Sequence, residues 1–487
     1  MPFTRTTERS RHSGPDARAS LVSTHPEGSP GRGRRPRSDR WLRVFSALYL
    51  VAVLGGILLY RTTGTKIFSN PIFATYGIVV ATYLITRFVL SIFYKPSPDV
   101  GLEPRIAIIV PAFNEEDAVM DSISSLLAAD YPPEKLEIVA VDDGSTDGTL
   151  REMCAVAEAF SGRVQVIGFP ENRGKRRAMA AGIRATTAEV IVVVDSDSVV
   201  SEDGLRKIVQ PFANPKIGAV CGHTDVANID ANWLAKMQAV RYYLAFRVMK
   251  SAESVFKTVT CCSGCFAAYR RDAITSSLDW WEEQRFLGVP STYGDDRSLT
   301  NCVLRNWQVV YQHTARAHTI VPTSLHTFLR QQARWKRSWA REALYLVRLA
   351  PRKPIPAQLA IYVSCMLPLS APLIAFRALI WYPLVEGQVS ILYPLGVYSM
   401  ALCFGLYFAA ARPRYSGLWW YGIVFVGFYV VFLLWQTYWA IATLRTAKWG
   451  TRPATAGLGG AEVSMDDRDI MVQPAAYLQA HELAGVS

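Results

Sequence analysis

The chain has 487 residues, of which 52 are Lys or Arg and 40 are Asp or Glu, so its formal net charge is +12. Half of the residues are hydrophobic and the mean hydropathy is +0.14, which is unusual for a soluble protein and predicts membrane segments. The basic residues are concentrated in Arg-rich ends and in loops beside apolar runs. This pattern favours an anionic membrane surface as the partner and argues against nucleic acid. The eight cysteines are scattered and do not resemble a secreted disulfide framework.

The first part of the chain predicts a tail followed by two membrane spans. Residues 1–40 are rich in Arg, Ser, Pro and Gly, and we expect a disordered basic cytoplasmic tail. Two apolar runs, Val44–Tyr60 and Ile72–Tyr94, approach the length of a bilayer span, so residues 41–95 are predicted to form a transmembrane hairpin. Basic residues flank both ends of the pair and place both ends in the cytoplasm. A cleaved signal peptide fits less well because its charged leader would be far too long.

Residues 96–323 predict a cytoplasmic catalytic domain. Short β-rich runs such as "RIAIIVPAF", "LEIVAVDDG" and "AEVIVVVDSDS" alternate with helical patterns. This alternation is typical of an α/β domain with a mostly parallel sheet covered by helices.

The remainder of the chain predicts a return to the membrane. Residues 324–356 are predicted to form interfacial amphipathic helices, residues 357–448 transmembrane segments, and residues 449–487 a loop and a mobile tail. Basic residues flank the last apolar run, 417–443, on both sides. One straight span would therefore violate the positive-inside rule, and we expect a break or a hairpin within this run.

Polar residues follow the first two predicted strands. The first strand leads into Pro111, Asn114 and Glu115, and the second ends at Asp142 and Asp143. Ligands of open α/β sheets bind at the carboxyl ends of strands, where a carboxylate can accept hydrogen bonds from a uracil or a ribose. Ordinary turn chemistry is the alternative for the Asp-Asp-Gly sequence.

A basic segment, residues 172–177, follows the third strand. Its glycine gives the backbone freedom, and cations such as Lys175 and Arg176 suit a diphosphate. A solvated basic loop is the alternative.

Two carboxylates, Asp195 and Asp197, end the apolar strand "VIVVVDSDS". Carboxylates this close repel each other unless a cation lies between them, and oxygen ligands favour Mg²⁺ or Mn²⁺. We therefore predict that Asp197 and Asp195 ligate the metal and that Asp195 also supports the donor. Helix capping is the alternative.

A second acidic pair, Asp295 and Asp296, precedes Arg297. One of these carboxylates could accept a proton from an acceptor hydroxyl, and a neighbouring arginine would keep it ionised. A tight turn with a surface ion pair is the alternative.

Four motifs in this order carry a resemblance to a known family: Asp142-Asp143, Asp195-x-Asp197, Gly294-Asp295-Asp296 and Gln331-x-x-Arg334-Trp335. Over residues 45–452 the chain resembles the processive, inverting nucleotide-sugar glycosyltransferases with a GT-A fold. It is most similar to hyaluronan synthases, on "NRGKRRAM", "FLGVPSTYGDDRSLTN", "QQARWKRSWARE" and "TLRTAKWGTR", and next to chitin and chitin-oligosaccharide synthases. The resemblance implies a GT-A catalytic domain inserted between transmembrane helices.

The resemblance also implies roles for individual residues. Gln331 and Arg334 would face the donor diphosphate, and Trp335 would stack under the terminal acceptor sugar. Asp296, the last Asp of its motif, would be the base. The segment containing Ser263 and Gly264 would lie near the acceptor, and the loop containing Trp449 and Arg452 would enter the catalytic pocket. At the acceptor segment hyaluronan synthases have Ser-Gly-Pro-Leu, whereas this chain has Cys265-Phe266 after Ser263-Gly264.

The expected activity is processive transfer from UDP-GlcNAc and UDP-GlcUA to a nascent polysaccharide, with Mg²⁺ or Mn²⁺, at the cell membrane. The expected product is hyaluronan. The alternatives are a chitin-type polymer made from a single UDP-sugar, a non-processive lipid-linked sugar transferase, and a non-catalytic membrane scaffold that has kept the fold.

Overall fold

The computed structural model describes residues 40–62, 71–160, 162–389 and 392–446. The predicted N-terminal tail and the segment containing Trp449 and Arg452 lie outside these residues.

The strands come from short runs rich in β-branched residues, most of them buried on both faces of the sheet. They are β1 Ile106–Ala112, β2 Leu136–Asp142, β3 Val164–Gly168, β4 Val190–Val193, β5 Ser198–Val200, β6 Ile217–Val226, β7 Ala267–Arg270, β8 Arg285–Phe286, β9 Val289–Pro290 and β10 Gln308–Thr319. In the described part of the chain, eight of them form one sheet in the order β3-β2-β1-β4-β7-β6-β10-β5, and β8 pairs with β9 in a separate hairpin.

The predicted parallel pairing is found in β3-β2-β1-β4 and between β6 and β10. The sheet as a whole is mixed, because β7 runs antiparallel to β4 and β6, and β5 runs antiparallel to β10. The reversal at β5 has a simple cause. Only residues 194–197 separate it from β4, too few for the crossover helix that a parallel connection needs.

Helices cover both faces of the sheet, and further helices precede and follow the sheet along the chain. They are α1 Arg40–Thr62, α2 Pro71–Phe93, α3 Val119–Leu127, α4 Thr149–Ala159, α5 Lys175–Arg184, α6 Gly204–Val209, α7 Trp233–Leu244, α8 Arg271–Thr275, α9 Leu278–Glu282, α10 Asp295–Leu304, α11 Leu325–Leu349, α12 Ile355–Phe376, α13 Leu392–Ala411, α14 Tyr421–Phe428 and α15 Gln436–Ala442. Helix α7 continues through a π-helical stretch, Ala245–Lys250, into Ser251–Val255; α12 continues through Arg377–Trp381 into Tyr382–Val385; and α14 continues through Tyr429–Leu433. Short 3₁₀ segments are Pro133–Lys135, Gln210–Ala213, Ala350–Arg352 and Pro413–Leu418.

Two apolar cores lie on opposite faces of the sheet, because alternate residues of each strand point to opposite sides. Ile109 and Val141 contribute to one core, and Ile108 and Val110 to the other. A third core joins the apolar helices to the domain. It packs Phe88 of α2 and Tyr407 of α13 with Met237 of α7 and Phe328 of α11.

Three helices among the described residues are long and apolar enough to cross a membrane: Thr75–Phe93, Ile355–Val385 and Tyr393–Ala411. The first predicted span lies within α1, whose side chains are described over only part of its length, so for this helix the membrane assignment stays a prediction. The predicted interfacial segment contains α11, which carries the Gln331-x-x-Arg334-Trp335 motif.

The predicted break in the last apolar run is confirmed. The helical segments Tyr421–Leu433 and Gln436–Ala442 meet at a bend of 42°. Lys336 of α11 contacts this bend, where its ammonium donates to the carbonyl of Leu433 and to Thr437 Oγ1, the latter at 2.8 Å. A basic side chain of α11 thus donates to a backbone carbonyl at the bend of the apolar segment.

Candidate active site

The carboxyl ends of β1 and β2 form one wall of the candidate site. Asn114, in the left-handed region at φ 55°, ties the two ends together, since its Oδ1 accepts the backbone N–H of Thr146 at 2.8 Å. Its own backbone N–H donates to Ser145 Oγ at 2.9 Å. Beside it, the backbone N–H of Glu115 donates to Thr149 Oγ1 at 2.8 Å. Asn114 and Glu115 therefore shape this edge, and Pro111 lies just before it within β1.

Asp142 and Asp143 are both buried at this edge. Asp142 Oδ2 accepts the backbone N–H of Ser145 at 3.1 Å, whereas its buried Oδ1 has no hydrogen-bond partner. Burial raises the pKa of the Asp142 carboxyl. An unpaired buried carboxylate oxygen is costly, so this position suits a ligand that brings an N–H or O–H donor.

Asp143 organises the predicted diphosphate loop. Its Oδ1 accepts the backbone N–H groups of Arg173 and Gly174 at 2.8 and 3.0 Å. These two bonds hold the start of α5 against the end of β2. The acidic pair and the basic loop, predicted separately from the sequence, therefore form one unit.

Lys175, at the first position of α5, forms an ion pair with Asp195 Oδ1. Burial alone would lower the pKa of Lys175, but the carboxylate of Asp195 and, more weakly, those of Asp295 and Asp296 raise it. The ammonium is therefore charged and interacts electrostatically with the carboxylates of both predicted acidic motifs.

Asp197 follows Asp195 after the end of β4, and its Oδ1 accepts from Ser198 Oγ and Thr319 Oγ1 at 3.2 and 3.3 Å. Burial, followed by the nearby Asp195 carboxylate, raises the pKa of Asp197 to about 6. A divalent cation between Asp197 and the neighbouring Asp195 carboxylate would relieve their repulsion. The described residues contain no group of three or more His, Cys, Asp or Glu side chains placed to hold a metal. Mg²⁺ commonly binds only one or two carboxylates together with substrate phosphates, so the pair fits such an ion.

The predicted acceptor segment lies over the same carboxylate. A Cβ added to Gly264 would lie 3.1 Å from Asp195 Oδ1 and 3.3 Å from Lys175 Nζ. Glycine is therefore the residue that lets this segment approach the donor side, with Ser263 directly before it.

The two aspartates of the second acidic motif have different surroundings. Asp295, the first residue of α10, is 5% exposed and pairs with Arg176 Nε at 2.9 Å. Arg176 is 3% exposed and also donates from Nη1 to the Trp281 carbonyl at 2.7 Å and to Gln284 Oε1 at 2.8 Å. The roles of Arg176 in substrate binding and of Asp295 in catalysis stay predictions, and the structure adds a buried ion pair between them. Their charged groups bind each other behind the site.

Asp296 remains partly exposed, and its charge acts on Lys175 of the donor-side cluster. The backbone N–H of Arg297 donates to its Oδ1 at 2.8 Å, and Cys261 Sγ donates to its Oδ2 at 3.4 Å. Burial and then the Asp296 charge raise the pKa of Cys261 to about 12, so its thiol stays protonated and can donate. No sequence pattern predicts this contact, because Cys261 is separated from the acidic motif along the chain.

The motif on α11 meets α7. Trp335 lies beneath the guanidinium of Arg241, with the Arg241 Cζ 5.6 Å from its ring centroid, and 6.4 Å from the ring of Tyr242. Arg241 also donates to Gln332 Oε1 at 2.8 Å. Trp335, which is partly exposed, thus packs against α7, a partner that the spacing of the α11 motif alone does not reveal.

The other two motif residues are partly exposed. Gln331 has a buried Oε1 with no partner within the protein. Arg334 lies one turn further along α11. The structure therefore brings Gln331, Arg334 and Trp335 onto one helix, and Asp143, Lys175 and Asp195 into one cluster.

Sequence comparison identifies the family. The profile described as Glycosyltransferase like family 2 matches residues 104–338. An N-acetylglucosaminyltransferase of Azorhizobium caulinodans is 32% identical over 396 residues, covering 78% of this chain and 97% of that protein. The chain belongs to glycosyltransferase family 2. A hyaluronan synthase of Streptococcus pyogenes is 29% identical over 430 residues, covering 86% of this chain and 98% of that protein.

The fold agrees with this family assignment. A mannosyltransferase from Pyrobaculum calidifontis, solved in complex with GDP-Man and Mn²⁺, superposes with a TM-score of 0.51 at 21% identity and covers 74% of this chain and 99% of that one. This family 2 glycosyltransferase therefore has the GT-A-like fold predicted from its sequence, flanked by helices long and apolar enough to span a membrane.

Proposed function

We propose that the chain is a membrane-embedded synthase that adds sugars from UDP-sugars to a growing polysaccharide, with hyaluronan as the product. The observation that carries the proposal is the continuity of the donor-side cluster, the partly exposed Asp296 and the helix α11 that packs on the apolar helices. A single contiguous site can then bind a nucleotide sugar, activate an acceptor and lie at the membrane face.

The donor would bind between β2 and α5. Asp142 would accept a hydrogen bond from the uracil through its unpaired oxygen, and Asp143 would hold the loop that cradles the diphosphate. Lys175 supplies a cation next to Asp195, where the diphosphate would lie. A bound Mg²⁺ or Mn²⁺, held by Asp197 and Asp195, would neutralise charge on the leaving diphosphate.

Asp296 would act as the general base. It takes the proton from the acceptor hydroxyl, whose oxygen attacks the anomeric carbon while the bond to the departing UDP breaks. One such displacement inverts the anomeric centre. Cys261 and the Arg297 backbone N–H hold the carboxylate in place, so no conformational search is needed at the moment of transfer.

Trp335 would support the acceptor sugar. A ring face holds a sugar without a fixed hydrogen-bond pattern, which suits a polymer that must slide after each addition. Gln331 and Arg334 would reach the donor diphosphate from the same helix. Trp449 and Arg452, outside the described residues, are proposed to close over the pocket.

Contacts on both sides of the bent segment support a proposal for the membrane topology. At its start Arg412 pairs with Asp225 of β6 at 3.3 Å, and at its end Arg337 of α11 donates to Thr443 Oγ1 at 3.0 Å. Both flanks thus contact the catalytic side. We propose a multi-pass protein of the cell membrane whose catalytic domain and N-terminus are cytoplasmic.

A second candidate is a chitin-type synthase that uses UDP-GlcNAc alone. The similarity to the Azorhizobium N-acetylglucosaminyltransferase favours it, and Cys265-Phe266 at the acceptor segment departs from the hyaluronan synthase pattern. Purified protein should be incubated with each UDP-sugar singly and in pairs, and the polymer digested with specific glycosidases. Hyaluronan requires UDP-GlcNAc and UDP-GlcUA together; polymer from UDP-GlcNAc alone selects the chitin-type synthase, and no UDP release from any donor refutes both.

A further inference from the structure

A buried cluster of charged and amide side chains lies behind Asp296 and joins helices α5, α10 and α11. Its members are each at most 7% exposed: Arg176, Gln284, Asp295, Asn301, Arg341 and Glu342. Two cations and two anions balance within it. Buried charges are retained only when they are paired and hydrogen-bonded, so each group depends on its neighbours.

Glu342, on α11, accepts hydrogen bonds from three side chains of the cluster. Its Oε1 accepts from Arg341 Nε at 2.8 Å and from Gln284 Nε2 at 3.4 Å, and its Oε2 accepts from Asn301 Nδ2 at 3.1 Å. All three partners are donors. An amide at position 342 would therefore turn an NH₂ group against a donor on one side or the other.

Gln284 carries the connection to the acidic motif. Its Oε1 accepts from Arg176 Nη1 at 2.8 Å and from Ser298 Oγ at 2.9 Å. Arg176 in turn binds Asp295. Glu342 is thus linked through two side chains to the residue directly before Asp296.

Arg341 contacts the turn that precedes α10. It donates to the carbonyl of Tyr293, and its Cζ lies 5.2 Å from that ring's centroid. The next residue, Gly294, has φ 81°, and a Cβ there would collide with Ser338 of α11. Helix α11 therefore packs directly on the turn that precedes Asp296.

We propose that Arg341 and Glu342 form a positioning pair that fixes Asp296 relative to Trp335, so that the base faces the acceptor that the tryptophan supports. This inference rests on the proposed function. Both residues of the pair lie on the helix that carries Trp335. Tyr293 lies on the turn before α10 and Asn301 on α10 itself, whereas Gln284 links the pair to Asp295 through Arg176. A displacement of about 1 Å between base and acceptor can cost on the order of 100-fold in rate.

The test compares three variants in lipid nanodiscs. Glu342→Gln breaks the acceptor pattern while keeping the side-chain shape. Arg341→Met/Glu342→Met removes both charges together and leaves neither of them uncompensated, so the fold should be retained. Glu283→Gln, an exposed glutamate close to Gln284 in the chain, is the matched control. The readouts are UDP affinity, the KM for the UDP-sugar, kcat and the melting temperature.

We expect kcat to fall about 10- to 100-fold in Glu342→Gln and in the double variant, with UDP affinity and KM unchanged. The control should behave like wild type. Wild-type kcat in the double variant would overturn the positioning role, as would a loss of kcat that is matched by loss of UDP binding. A wild-type protein that releases no UDP from any UDP-sugar would instead overturn the proposed function, and this inference with it.

Discussion

Replacement of Asp295 or Asp296 by asparagine should produce two different phenotypes, although the residues are adjacent. Asp295 is 5% exposed and its carboxylate is the charged partner of Arg176. Asp296 is partly exposed and its carboxylate accepts from Cys261 and a backbone N–H. The Asp295 variant should lose stability, and the Asp296 variant should lose sugar-transfer activity.

The magnitudes follow from these surroundings. In Asp295→Asn the guanidinium of Arg176 stays buried without a counter-charge on that side, and breaking a buried pair costs about 3–5 kcal/mol. In Asp296→Asn no buried charge is stranded, so stability should stay near wild type. Loss of a general base should lower the sugar-transfer rate roughly 100-fold or more.

The assay measures both variants in parallel, by thermal unfolding in lipid nanodiscs, by UDP binding and by sugar transfer. Asp296→Asn should bind UDP like wild type. If Asp296→Asn loses UDP binding, Asp296 belongs to the donor site and the proposed base is wrong. If Asp295→Asn is as stable as wild type, the ion pair with Arg176 does not hold the motif in place.

Three further outcomes are expected. Trp335→Ala and Trp335→Leu should lose polymer yield several-fold at unchanged UDP release, with Trp335→Phe between them and wild type, because aromatic packing contributes on the order of 1 kcal/mol; equal yield from Trp335→Leu and wild type would refute stacking on the acceptor sugar. Asp197→Asn should abolish metal-dependent UDP release in a folded protein, and normal turnover would remove it from the metal site. Lys336→Met should lower the free energy of unfolding by about 1–3 kcal/mol, since the Leu433 carbonyl loses its donor; an unchanged melting curve would show that water replaces the lysine.

Much of the fold could be predicted because its signals are local. The apolar runs ending in Asp142 and Asp195 indicated strands with polar carboxyl ends, and the structure places both ends in one site. Basic residues on both flanks of 417–443 are incompatible with one straight span under the positive-inside rule. This predicted a break, and the 42° bend lies within that run. The mixed direction of the sheet could not be read in the same way, because it depends on pairing between distant strands.

The candidate site was less predictable where it depends on side-chain direction. Arg176 and Asp295 have the composition of ligand-binding residues, but their positions at the starts of α5 and α10 turn them towards each other. Cys261 and Arg241 contact Asp296 and Trp335 from distant parts of the chain. Such contacts arise from tertiary packing, and no motif spacing encodes them.

The most direct test of a processive synthase is the size of the product formed while little UDP-sugar has been consumed. Purified protein in nanodiscs is given labelled UDP-GlcNAc and UDP-GlcUA, and released UDP is compared with the sugar recovered in polymer. We expect long chains from the earliest times, with one UDP released for each sugar incorporated, and no product from Asp296→Asn. Short oligosaccharides that lengthen only as the donor is used up, or UDP release without polymer, would contradict it.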